Sequence, residues 1–247
     1  MQVGISREDI AIIKQKINQC AVIQAAVIYG SSLYEQNHTD IDIGILLIPT
    51  KNNVIPIKIF KTLRKLRTNL SKKLSRDIDL VPHTLDELSN FNSPLYYPRY
   101  NPALCFGLTI KGKFSLKSTT ELNTKAFTSP AATAAYILMD NRTITRRQLL
   151  RPSNSKNKRI FIAKLIHGPG NALTYLALKQ KRSKYLANPS DFHNSFRIFD
   201  RLYQTDYIKI LKWIQKLQKD PKKIKFRSLV RLLNWYEELV SLVLSSK

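Results

Sequence analysis

Cysteine is scarce in this chain. Only Cys20 and Cys105 occur, so no disulfide framework can hold the fold, and no Cys/His set has the spacing of a zinc site. Both sit among apolar neighbours and are expected to be buried small hydrophobes. Long apolar runs are missing too. The longest aliphatic stretch, Ile43 to Ile48, is interrupted by Gly44 and is far shorter than a membrane-spanning helix, so no membrane partner is expected. Arg7, Glu8 and Asp9 stand where a secretory signal would need its apolar segment, which gives a cytoplasmic expectation. No internal repeat or low-complexity tract stands out. Acid is the last shortage: 17 Asp and Glu face 41 Lys and Arg, for a net charge of +24.

Such a surplus attracts polyanions. It is also uneven. Residues 151–247 hold 21 basic and 6 acidic residues, a surplus of 15, against 20 and 11 in the first 150. RNA contact is therefore the expected use of the second half, with a merely lysine-rich solvated surface as the ordinary alternative. Hydrophobic residues make up 43%, a globular share. The 247 residues suffice for one large domain or two small ones.

The stretch on which the rest is organised runs from Val27 to Ile48. A β-forming run (Val27, Ile28, Tyr29) stops at Gly30-Ser31-Ser32, and after a polar turn a second apolar run opens with Asp40 and Asp42. Side chains alternate along a strand, so both aspartates share one face while Ile41 and Ile43 take the other. Two close carboxylates repel unless a cation lies between them. Their hard oxygens suit magnesium, which binds through one or two carboxylates plus substrate phosphates. The Gly-Ser-Ser turn offers N–H groups and hydroxyls for those phosphates. A further short strand, Arg76-Asp77-Ile78-Asp79-Leu80-Val81-Pro82, supplies a third carboxylate. Asp77 and Asp79 face the same way, so periodicity does not choose between them.

Gly-Ser, then Asp-x-Asp at a strand start, then a later apolar-Asp-apolar strand resembles the polymerase beta-type nucleotidyltransferase superfamily. The likeness covers about the first 115 residues, with its motif core between Gly30 and Asp79, and singles out no subfamily. Eight residues separate Ser31 from Asp40, a shorter turn than in many members. It lacks the glycine and arginine often found there, and Thr39 stands where a serine is common. The resemblance favours Asp79 as the third carboxylate, because Leu80-Val81-Pro82 follows it, and leaves Asp77 to pair with Arg76.

The resemblance implies two magnesium ions, with manganese as a substitute, roughly 3.5–4 Å apart on Asp40, Asp42 and Asp79. Gly30, Ser31 and Ser32 would bind the nucleoside triphosphate. Asp79 would act as general base on an acceptor hydroxyl that attacks the α-phosphorus. The implied fold is α/β (α+β): an N-terminal mixed sheet with flanking helices over 1–118, the catalytic domain, and a helical substrate-binding domain over 119–247. RNA, such as the 3′ end of a tRNA, is the preferred acceptor, on charge alone. The alternatives are a small molecule such as an aminoglycoside, a protein as in toxin–antitoxin relatives, or a non-catalytic RNA-binding module.

Along the chain, Ser6-Arg7-Glu8-Asp9 is a capping-box pattern opening a helix to about Gln19. Strands are expected over Val22 to Tyr29 and Ile41 to Ile48. An amphipathic helix carries Phe60, Leu63, Leu66, Leu70 and Leu74 on one side and lysines on the other. Pro82 should close the Asp79 strand, and Thr84 should open a short helix. Residues 92–102 read as an irregular loop, and Leu108 to Leu116 as a hairpin turning at Lys111-Gly112. Helices then follow from Pro130 to Leu149, from Arg159 to His167 with a break at Gly168-Pro169-Gly170, and from Asn171 to Gln180. One helix capped by Asp191 should carry Phe192 through Ile214, and a last one should run from Phe226 to Leu244.

Within the loop, Tyr96, Tyr97, Arg99 and Tyr100 either stack a base and hold a phosphate or pack between loop and core. Lys222 and Lys223, beside Pro221, are either an exposed inter-helix turn or an RNA backbone contact. His38 reads as a solvated loop histidine and His167 as a helix C-terminal residue favouring the dipole. The Phe192, Phe196 and Phe199 stripe reads as core.

Overall fold

The structure is a computed structural model that describes residues 4–35, 38–49, 54–90, 93–114, 116, 129–152, 154–182, 184 and 191–246. They fall into two compact units, within Met1–Leu122 and Asn123–Lys247. The boundary expected at 118/119 lies outside the described residues. No described helix is long and apolar enough to cross a membrane.

The first unit contains α1 (Arg7–Asn18), β1 (Ile23–Tyr29), β2 (Asp40–Leu47), α2 (Ile57–Leu74), β3 (Asp77–His83), α3 (Leu85–Leu88), α4 (Asn101–Phe106) and β4 (Leu108–Lys111). Its four strands form one mixed sheet in the order β3-β2-β1-β4. β1 runs antiparallel to β2 and to β4, whereas β2 and β3 are parallel. Two parallel neighbours need a crossover, and α2 supplies it. α2 buries Phe60, Leu63, Leu66, Leu70 and Leu74, the stripe its helical period required. Ser6 caps α1 by accepting from the Asp9 N–H at 3.0 Å, and Lys111 Nζ closes the other end by donating to the carbonyls of Ile17 in the last turn at 3.4 Å and of Cys20 just beyond it at 3.0 Å. A cation at a helix C-terminus satisfies orphan carbonyls and the dipole together.

Several expectations are corrected here. β3 continues through Pro82 to His83, because β3 is an edge strand and a missing N–H on the open side breaks no ladder. β4 pairs with β1 instead of folding back on itself. Among the described residues 113, 114 and 116 there is no return strand, and residue 115 lies outside them. The end of the loop expected over 92–102 instead forms a tight turn at Pro98–Tyr100 and the start of α4, which has Pro102 in its first turn, where proline costs nothing. Cys20 is buried but Cys105 is exposed.

The second unit holds α5 (Pro130–Leu150), α6 (Ser155–Lys179), α7 (Phe192–Tyr203), α8 (Tyr207–Lys219) and α9 (Phe226–Ser245). α6 is continuous through Gly168-Pro169-Gly170, and packing explains why. All three residues are buried, and a Cβ on Gly168 would run into the Tyr236 ring of α9. The glycine is therefore there for helix–helix contact, which outweighs the hydrogen bond lost at Pro169. His167 consequently lies inside a helix, not at its end, and the dipole role falls away. The helix expected from Phe192 to Ile214 is two helices. Gln204 takes a left-handed conformation at φ 51°, and the Asp200 carboxylate accepts from the N–H groups of Tyr207 at 2.5 Å and Ile208 at 3.0 Å. Those are the orphan donors at the start of α8.

This unit carries a polar core. Arg142 and Arg146 of α5 are buried, and Arg146 Nε donates to Glu237 Oε1 of α9 at 2.5 Å. Tyr236 Oη donates to the Leu138 carbonyl at 3.3 Å, and burial pushes its phenol well above its ordinary pKa. Phe196 stacks on Trp235 with centroids 5.6 Å apart.

Candidate functional site

Asp40 and Asp42 open β2, half-buried, and alternate with the fully buried Ile41 and Ile43. The parallel register sets Asp42 beside Asp79 and Asp40 beside Asp77. Register partners on parallel strands point to the same face, so Asp42 and Asp79 project side by side from one face of the sheet. Asp79 is 2% exposed. Among the described residues no group of three or more His, Cys, Asp or Glu side chains is placed so that it could hold a metal ion, so the expected convergence of Asp40, Asp42 and Asp79 on shared ions is not seen as a set of three.

The two later aspartates differ in what they do. Asp77 pairs with Arg67, a buried cation on the apolar stripe of α2. Arg76, the partner expected for Asp77, instead donates from Nη1 to His38 Nε2 at 2.7 Å and to the His38 carbonyl at 3.2 Å. His38 Nδ1 lies 3.0 Å from the Glu35 carbonyl, which fixes the proton on Nδ1 and leaves Nε2 as the acceptor. His38 is buried, which overturns its reading as a solvated loop residue. Arg76 and His38 thus tie the start of β3 to the turn that delivers Asp40. Sequence reasoning missed Arg67 and this tie. For Arg67 a signal existed, since a cation four residues after Leu63 and three before Leu70 lies on the core-facing stripe.

Gly30 ends β1 with φ 84°, a conformation that L side chains rarely adopt. A Cβ there would stand 3.0 Å from Asp42 Oδ2. The glycine therefore lets backbone approach the carboxylate, and it leads directly into the tight turn Ser31–Leu33. Ser31 is exposed, whereas Ser32 is buried and donates to the Tyr29 carbonyl at 3.4 Å. Of the two hydroxyls, Ser31 is the one presented to solvent.

Tyr97 and Tyr100 are buried and pack edge to face with centroids 6.3 Å apart. Tyr100 also meets Tyr29 and His83. Their ring faces are taken up by packing. Arg99 is exposed, with its guanidinium 5.8 Å from the Tyr100 ring centre. In the second unit, Lys222 and Lys223 are exposed on the turn after α8. Lys223 Nζ lies 3.0 Å from Asp220, and that ammonium holds the half-buried Asp220 carboxyl below its ordinary range.

Compared with protein-family models and with curated proteins, the chain gives no match.

Proposed function

We propose that the N-terminal unit moves a nucleoside monophosphate from a nucleoside triphosphate to an acceptor hydroxyl, and that the acceptor is RNA. The observation that carries this reading is the register that sets Asp42 beside Asp79 next to the Gly30 turn. The pair fits magnesium or manganese. Such ions keep much of their coordination for water and substrate phosphates, so two protein carboxylates suffice and a cage of three is not required. Asp42 and Asp79 would hold the ion, with Asp40 two positions along the same face for a second.

Bound there, the metal would supply Lewis-acid neutralisation of the phosphates and a lowered pKa for the acceptor hydroxyl. The rest belongs to the chain. Ser31 and the N–H groups after Gly30 orient the triphosphate tail. Asp79 takes the hydroxyl proton as the acceptor oxygen bonds to the α-phosphorus and the bond to pyrophosphate breaks. Positioning does most of the work, as expected for phosphoryl chemistry. The preference for RNA rests on the +24 charge, which disfavours a cationic small acceptor.

The test offers the protein magnesium and each α-labelled nucleoside triphosphate, with total RNA, a protein extract and an aminoglycoside panel as acceptors. RNase-sensitive label is the expected result. Protease-sensitive or small-molecule label would replace RNA with another acceptor, and no label on any acceptor would overturn the enzyme reading.

A further inference from the structure

Three exposed lysines, Lys212, Lys216 and Lys219, recur along α8 at helical spacing, and the helix contains no acidic residue. Among the described residues none of the three has a carboxylate partner, unlike Lys209, which pairs with Asp206 at 2.6 Å. A row of ammonium groups without carboxylate partners over two turns, about 10 Å long, has the charge and spacing that successive phosphates would require.

Beside that row lies a pocket of about 200 Å³, lined by Ile166 and His167 of α6, Phe192 of α7, and Leu211, Gln215 and Gln218 of α8. Leu211, Gln215 and Gln218 each precede one of the three lysines, so the two rows run side by side, about 100° apart around the helix. The pocket is below the usual range for whole drug-sized ligands, which suits a single flat ring. Its contents suit one too. Phe192 is half-buried and meets the His167 ring at 82° with centroids 5.5 Å apart, so it departs from the buried Phe196 and Phe199 with which its spacing grouped it. The amide of Gln218 adds a donor and an acceptor at the rim, and that of Gln215 adds an acceptor while its Nε2 lies 3.3 Å from His193 Nε2.

We propose that this face of the helical unit binds single-stranded RNA, with one base seated against Phe192 and His167 and the flanking phosphates on Lys212, Lys216 and Lys219. The pairing of aromatic pocket with lysine row is what distinguishes it from a solvated charged face, since bases stack on aromatic rings and phosphates follow cations. The inference rests on the reading of RNA as the acceptor, but it is tested by binding alone.

The experiment is anisotropy of a labelled single-stranded RNA and of the same oligomer with abasic positions, titrated at several salt concentrations without triphosphate. It uses the full chain, and also the Asp79→Asn protein, so that loss of transfer and loss of binding are read separately. Lys212/Lys216/Lys219→Gln should reduce the salt slope by about 2, from about 0.7 per phosphate contact on a single strand. Phe192→Leu, which keeps apolar volume, and His167→Ala, at an exposed position, should each weaken the base-bearing oligomer roughly 5- to 100-fold. Neither should change the slope or the affinity for the abasic strand. Equal affinity of the wild-type protein for the two oligomers, or an unchanged slope in the lysine variant, would overturn the proposal whether or not transfer occurs.

Discussion

Across the parallel β2–β3 ladder Asp79 stands beside Asp42, while its neighbour Asp77 is committed to Arg67. The two aspartates are therefore separable by experiment. Asp79→Asn should abolish transfer and leave the fold intact. Asp77→Asn should retain transfer but cost about 1–3 kcal/mol in urea unfolding, because it strands a buried guanidinium. Activity lost with Asp77→Asn and kept with Asp79→Asn would reverse the assignment.

Gly30→Ala tests the turn. At φ 84° a non-glycine residue is strained by about 1–3 kcal/mol, and the added methyl would press on Asp42 Oδ2 at 3.0 Å. The variant should unfold at lower urea and lose more of its transfer rate than that stability loss accounts for. An active variant of unchanged midpoint would show that the carboxylate and turn tolerate separation.

Much of this arrangement was legible in the chain because it depends on local pattern. The alternation Asp40-Ile41-Asp42-Ile43 and the stripe from Phe60 to Leu74 specify a half-buried strand and an amphipathic helix without any partner. What the chain did not disclose depended on neighbours. Pro82 is acceptable because no described strand pairs on the far side of β3, and Gly168 is explained by the Tyr236 ring. The division between α7 and α8 rests on Asp200 reaching residues that follow Gln204. Arg76 meets His38 across a gap of 38 residues, beyond any short-range period.

The titration of Tyr207 gives the helical unit an alkaline limit. Burial, and then the charges of Glu238 and Asp200, push its phenol from 10.0 up to about 12. The folded state holds this proton more tightly than the unfolded chain. Its contribution is therefore complete below pH 10 and is lost as pH rises toward 12. Tyr236, also raised, adds in the same direction. Urea midpoints should fall across that window, and Tyr207→Phe, which cannot ionise, should show a shallower fall. An identical slope in the variant would mean that other groups set the alkaline limit.

The Arg146–Glu237 pair sets the largest single effect expected. Both side chains are almost fully buried and meet at 2.5 Å, joining α5 to α9. Removing one partner leaves the other charge desolvated, which costs about 3–5 kcal/mol, so Glu237→Gln should lower the urea midpoint sharply. Replacing the whole pair with apolar residues of similar volume removes both desolvation costs. Arg146→Met with Glu237→Leu should therefore be more stable than Glu237→Gln alone. Arg142 lies one turn before Arg146 and is also buried, so removing the carboxylate takes negative charge out of a core that holds two buried guanidinium groups. For that reason Glu237→Gln should destabilise more than Arg146→Met, a ranking that a double-mutant cycle reads directly. The reverse order would mean that Glu237 is the costlier charge to bury.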